Sequence, residues 1–406
     1  MDANRRAAQP MTERRTRWPA VVAALLAGVI GGLAFGKMSP ALPLLKEEFH
    51  LSLIQSGWLV SAFNALAATS AIFFGLISDR VGALRLCIFG VLCIAAGGLL
   101  GALSSGAPLL VASRLIEGLG FIAAIVSAPA LITAATAPRG LGVAFGLWGS
   151  YLPIGVSLAL ITSPPLFAAS GWRSMWVLTA IAAIACALML AAQSRHYAGV
   201  TGARRSLASI KSSLAQPVLW LLGVAFAVYA IQHIAVIVWL PTYLIETRGL
   251  SGTAAALATA LAVFVNGFGN VLGGWLIQRN IPRGRIIALT FMLTSAAFIG
   301  IFSAALPDPV RYALVVFYSF ITGTVPAAAL SAGMHYARSP AEAGSIQGLI
   351  VNLTHIGIFF GTPLIAAAVT WGGSWDATLW VMLGCAVVAL ACAFAIGRYE
   401  RAATPA

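Results

Sequence analysis

Long apolar stretches, each separated from the next by a short polar interval, recur along almost the whole chain. Within them apolar positions are contiguous and lack the period-two alternation of barrel strands. A run of roughly 18 or more apolar residues is long enough to cross the hydrocarbon layer as a helix. In lipid only helices and closed barrels satisfy their own backbone groups. The pattern therefore predicts an all-α membrane protein with twelve transmembrane helices. They fall at about residues 18–45, 53–78, 84–103, 109–134, 141–168 and 175–193, and then at about 217–244, 253–277, 286–305, 310–336, 345–370 and 377–396.

Residues 195–216 form the longest polar interval inside the chain and divide the apolar segments six and six. The expected organisation is a tail (1–17), a six-helix bundle (18–194), a linker (195–216), a second bundle (217–397) and a closing tail (398–406). An internal repeat supports two pseudo-symmetric halves. A shift of 199 carries Ser52 onto Ser251, Gly75 onto Gly274 and Arg80 onto Arg279, and a shift of 202 carries Pro138 onto Pro340, Gly142 onto Gly344, Gly146 onto Gly348 and Gly155 onto Gly357. Glycines and prolines mark bends and close helix approaches, so matched spacing implies matched architecture. Helices three, six, nine and twelve carry no amide, charged or imidazole side chain in their apolar interiors. Because polar groups facing lipid are costly, these four are expected at the periphery, with the other eight lining an interior.

Composition agrees: 60% of residues are hydrophobic and 9% charged, against about 25% charged in a soluble domain. The net charge of +13 raises the question of a nucleic-acid partner, and topology answers it. Most of the basic residues fall on the side of the membrane that holds both ends of the chain, including Arg17, Arg80, Arg85, Arg139, Arg279 and Arg285. Loops on the other side hold Lys46, Arg173, Arg248 and Arg311. Basic loops stay in the cytoplasm, which predicts cytoplasmic termini and no nucleic-acid partner. The Arg-rich N-terminus precedes an apolar stretch too long for a signal peptide, which is expected to remain as the first helix. The five cysteines (Cys87, Cys93, Cys186, Cys385, Cys392) all fall in apolar helices, where a thiol acts as a small hydrophobe; neither disulfide nor metal site is inferred.

Two basic residues lie inside helices, Lys37 and Arg114. Arg114 and Glu117, three apart on the fourth helix, share a face and can pair. A charge at mid-helix costs roughly 2.5 to 3.5 kcal/mol on insertion scales, so neither should face lipid. The pair either braces helices one and four or serves transport, with Glu117 as the protonatable coupling group and Arg114 as its partner or a substrate anchor. Lys37, just before two prolines that permit a bend, either faces the outer mouth of the cavity or snorkels to the headgroups. On helix seven, Phe226, Tyr229 and His233 share a face, as do Gly348, Asn352, His355 and Phe359 on helix eleven. Tyr229, His233, Asn352 and His355 are candidate substrate contacts, although a buried histidine can equally be a packing residue. Tyr151, Asn266 and Asn270 are further candidates.

Between helices two and three the chain reads GLISDRVGALR, with Gly75, Asp79, Arg80, Gly82 and Arg85 in a G-x-x-x-D-R-x-G-x-x-R pattern. This resembles the loop signature of the major facilitator superfamily, and the resemblance extends over nearly the whole chain. SRLIEGLG, containing Arg114, Glu117, Gly118 and Gly120, resembles that family's segment on helix four. The resemblance implies a cytoplasmic gate at Gly75, Asp79, Arg80, Gly82 and Arg85, with Arg279 from the second half. The matching second loop, GGWLIQRNIPRGR, keeps Gly274 and Arg279 but has Gln278 in place of the acid. The general style of the sequence is loosely similar to the cyanate-permease and nitroimidazole-transport branch. GLWGSYLPIG on helix five departs from the antiporter motif of drug exporters, since Pro153 stands four residues after Gly149.

The expected function is a secondary transporter in a bacterial inner membrane, working by alternating access as a monomer. Its expected cargo is a small organic or inorganic anion, because the interior candidates comprise two fixed cations, two histidines and one carboxylate, and its expected coupling ion is the proton. Multidrug efflux is the alternative within transporters; a membrane receptor or sensor is a distant one. The sequence holds no HExxH, no clustered Cys and His and no nucleotide-binding loop, so no enzyme, metal, cofactor or ATP-driven pump is expected.

Overall fold

A computed structural model describes residues 15–197, 215–337 and 340–403, and among these every regular element is helical. In the first bundle α1 comprises Trp18–Gly36 and Met38–Glu48, α2 runs Leu53–Ser61 and Ala65–Val81 around a tight turn at Ala62–Asn64, and α3 is Ala83–Ala102. They are followed by α4 (Ala107–Ala135), α5 (Leu141–Gly149 and Tyr151–Ser170) and α6 (Arg173–Ala192). In the second, α7 runs Pro217–Ile234, a wider π-helical stretch Ala235–Trp239, and Leu240–Arg248; α8 is Gly252–Gln278 and α9 Arg283–Phe302. Then come α10 (Asp308–Thr322, Thr324–Leu330 and Ala332–His335), α11 (Pro340–Gly372) and α12 (Thr378–Ala403). Among the described residues eleven helices are long and apolar enough to cross a membrane, all but α2. Linker positions 198–214 lie outside the described residues, as do Arg338 and the first fourteen residues.

The departures from straight helices have local causes. A proline has no N–H for the carbonyl four residues earlier, and its ring crowds that carbonyl. Pro40 therefore cannot bond Gly36, and α1 leaves regular geometry at Lys37, three residues ahead of the proline and not at it. On α7 Pro241 follows the π stretch, where such widenings gather at functional positions. Helix α12 continues to Ala403, so Arg398 and Arg401 ride its last turns.

Helices α3 and α6 pack within the first bundle, and α9 and α12 within the second. The main contacts between bundles come from α1, α2 and α5 on one side and α7, α8 and α11 on the other. This is the peripheral and central division that the distribution of polar side chains predicts. Described contacts between the bundles run from mid-depth to the face opposite the chain ends. Asn352 Nδ2 donates to the Ala68 carbonyl at 3.0 Å, and Lys46 pairs with Glu246 at 2.9 Å at the far rim. Toward the face that holds the chain ends, α5 loses its partners: in Leu141–Gly149 only Ala144 is buried, whereas its inner half buries Val156, Ala159 and Leu160.

Candidate functional site

Three charged side chains meet inside the first bundle. Glu117 on α4 takes Lys37 Nζ on one carboxylate oxygen at 2.5 Å and Arg114 Nη1 on the other, and all three side chains are 0% exposed. Arg114 Nη1 also donates to the Ala34 carbonyl on α1 at 2.8 Å. The guanidinium lies 4.4 Å from the centre of the Phe63 ring, and the Lys37 ammonium lies 4.6 Å from that of Trp176. The sequence thus places Arg114 and Glu117 correctly on one face, but Lys37 neither fronts the outer mouth nor snorkels. The break in α1 turns it inward onto the only carboxylate near it among the described residues.

Charge counting defines the site. Two cations share one carboxylate, so when all three are ionised the cluster holds one positive charge in surplus within a low-dielectric bundle, where an uncompensated ion is expensive. Arg114 Nε and Nη2 are buried and have no hydrogen-bond partner among the described residues. The cluster can brace α1 against α4 and can also attract an anion. Gly118 beside it is required by packing: a Cβ there would strike the Phe63 carbonyl, so the α2 turn and α4 touch only because residue 118 has none.

An aromatic group separates this cluster from the second bundle. Phe63 packs on Phe35 at 5.5 Å and on Phe121 at 5.2 Å between ring centres, and Phe121 lies 6.3 Å from the ring of His355 on α11. His355 Nδ1 is engaged by the Val351 carbonyl at 2.9 Å. On α7 the rings of Phe226, Tyr229 and His233 form a ladder with spacings of 5.5 and 5.4 Å, and His233 Nδ1 is buried with no hydrogen-bond partner among the described residues. Tyr151 stacks on Trp148 at 4.5 Å. Asn352 reaches across the bundle interface, as described above. Asn266 does not: its amide donates to the Ser319 carbonyl at 2.7 Å and holds α8 to α10 within the second bundle, while Asn270 donates to Asn266. Phe63, Phe121 and Trp176 are absent from the sequence-derived candidates, because an aromatic in a hydrophobic run carries no pattern that sets it apart.

Of the loop motif, Gly75 and Asp79 lie outside the positions whose surroundings are described. Gly82 ends α2 with φ +94°, a conformation that favours glycine. Arg80 and Arg85 are exposed, and Arg279 in the second loop lies over the ring of Trp275 at 4.7 Å.

Two pseudo-symmetric six-helix bundles, with polar groups gathered between and beside them and apolar helices outside, define a multi-pass protein whose fold is that of membrane transporters and not of enzymes. Residues 24–362 match the family model of the Major Facilitator Superfamily, and the chain belongs to that family. It is 26% identical to the arabinose-proton symporter of Escherichia coli (strain K12) over 171 residues, 42% of this chain and 36% of the symporter. The chain therefore spans about a third of the length of the first curated relatives it matches. It is 24% identical to the hexuronate transporter of Bacillus subtilis (strain 168) over 389 residues, 87% of this chain and 92% of that one. A solved bacterial homologue of the human lysosomal transporter Spinster, inward-facing and occupied, superposes with a TM-score of 0.79 at 18% identity, covering 95% of this chain and 98% of that one.

Proposed function

We propose that the protein is a secondary transporter that moves a small organic anion across the bacterial inner membrane by alternating access, with a proton as the coupling ion. The observation that carries this reading is the sharing of one buried carboxylate, Glu117, by two buried cations. Protonation of Glu117 removes the counter-charge from both Lys37 and Arg114, and an anionic cargo supplies it. For a monovalent anion, proton and cargo together carry no net charge, so the loaded carrier avoids a second buried cation. Proton and anion thereby favour the same state, which is what coupling requires. Arg114, with two unpartnered N–H groups, is the anchor, and Tyr151, Tyr229, His233, Asn352 and His355 contact the remainder of the cargo. The hexuronate carried by one long relative is itself a carboxylate, in line with this reading.

Exposed arginines at the ends of α2 and α8 and at the start of α3 support a cytoplasmic position for the face that holds the chain ends, with the closed face outside. Both bundles belong to one chain, in line with a monomer.

Uptake by proteoliposomes tests the reading, with labelled monocarboxylates, dicarboxylates, cyanate and a neutral sugar, with and without an inward proton gradient. An anion should accumulate with the gradient, Glu117→Gln should uncouple it and Arg114→Ala should abolish it. Movement of the neutral sugar alone, or extrusion of lipophilic cations with no anion uptake, would overturn the anion assignment.

A further inference from the structure

The closed face is held by hydrogen bonds that share one design. Ser39 Oγ on α1 donates to the Ile237 carbonyl on α7 at 2.6 Å, and Ser61 Oγ on α2 donates to the Phe359 carbonyl on α11 at 2.6 Å. Both serines are essentially unexposed, and both bonds join the two bundles. Four residues after Ile237 stands Pro241, and four residues after Phe359 stands Pro363. In an α-helix those positions would donate the N–H that satisfies Ile237 and Phe359, and proline has none to give. Ser61 thus supplies the donor that Pro363 lacks; Ile237 stands in the π-helical stretch, whose register places the donor five residues on, and Ser39 grips its carbonyl just ahead of Pro241. In lipid a carbonyl freed in this way has to find a hydroxyl, a water or another helix.

The surroundings fit a contact that is made and broken. The α2 backbone meets Pro363 directly, since a Cβ on Gly57 would lie 2.9 Å from Pro363 Cα. Behind the π stretch of α7 lies a largely apolar cavity of about 60 Å³, walled by Ala235, Val236, Trp239 and Leu240 of α7 and by Tyr318 and Met382. The stretch is therefore held in front by Ser39 and has room at its back.

We propose that Ser39 and Ser61 are the two latch residues of the outer closure, and that the π-helical widening of α7 and Pro363 of α11 offer the acceptors they grip. When the bundles part, water entering the opening replaces the hydroxyls on the freed carbonyls, so the latch opens without leaving a polar group unsatisfied. Each serine lies two residues from a contact of the charged cluster, Ser39 from Lys37 and Ser61 from Phe63. The latch needs only that this face opens in the transport cycle; it does not depend on which cargo or coupling ion is used, and so stands or falls separately from the uptake experiment.

The test is a pulsed paramagnetic-resonance distance in liposomes between nitroxides at Glu47→Cys and Thr247→Cys, exposed positions at the outer ends of α1 and α7, with the five native cysteines replaced. Ser39→Ala or Ser61→Ala should raise the ratio of the long-distance to the short-distance population by roughly tenfold each, the scale of one buried hydrogen bond. Pro363→Ala returns an N–H to the Phe359 carbonyl, so in that background Ser61→Ala should shift the ratio by roughly twofold or less. Ser163→Ala removes a buried hydroxyl bond within the first bundle and should leave the ratio unchanged. Unaltered populations in both serine variants, or a Ser61 effect that persists in full in the Pro363→Ala background, would overturn the proposal.

Discussion

The two bundles share a fold but not a chemistry. The first is organised around ions: Lys37, Arg114 and Glu117 are fully buried and bind α1 to α4. The second ties α8 and α9 to α10 with neutral groups. Asn266 holds the Ser319 carbonyl at 2.7 Å, Ser319 Oγ donates to the Ala262 carbonyl at 2.6 Å, and the hydroxyls of Thr290 and Thr324 meet at 2.7 Å. The first bundle thus holds the buried Lys37, Arg114 and Glu117 cluster, and the second contributes the backbone carbonyls that Ser39 and Ser61 grip.

The sharpest break in this comparison is Glu117→Ala, which strands two buried cations. We expect a loss of about 3 to 5 kcal/mol, read as a collapse of the thermal unfolding midpoint in detergent, with Glu117→Gln milder because the amide still accepts hydrogen bonds. Next come the points where the halves should behave alike. Gly118→Ala drives a methyl into the Phe63 carbonyl, and Gly269→Ala does the same to the Phe320 carbonyl on α10. Each should cost about 1 to 3 kcal/mol, and a large difference in unfolding midpoint between them would show that packing as well as charge separates the bundles. Asn266→Ala leaves the Ser319 carbonyl without its amide donor and should cost about 1 to 2 kcal/mol while sparing any proton dependence of transport. Smallest is Lys46→Ala at the outer rim: its pair with Glu246 is more than a third exposed, and the loss should stay below about 1 kcal/mol and vanish in high salt.

Much of the fold was legible because lipid makes hydrophobicity nearly sufficient: a helix must be long and apolar to cross, and four helices without polar interiors had to lie outside. Within the site, Arg114 and Glu117 were legible from their spacing of three. Lys37 was not, since it lies 80 positions from Glu117 and reaches it only because α1 breaks beside it. Asn266 was ambiguous, because a buried amide reads the same whether it faces a cargo or a neighbouring helix. The serine latch needed the pairing of α1 with α7 and of α2 with α11; the prolines were visible in the sequence, but which hydroxyls would meet the freed carbonyls was not.

The most direct test of the central claim separates movement from coupling in Glu117→Gln. With a cargo identified in the wild type, exchange of labelled for unlabelled cargo across proteoliposomes and accumulation driven by an inward proton gradient are measured on the same preparation. If Glu117 is the proton-carrying member of the charged cluster, the variant will still exchange cargo but lose gradient-driven accumulation. Accumulation at the wild-type level would contradict the account and leave the three charges as a brace between α1 and α4.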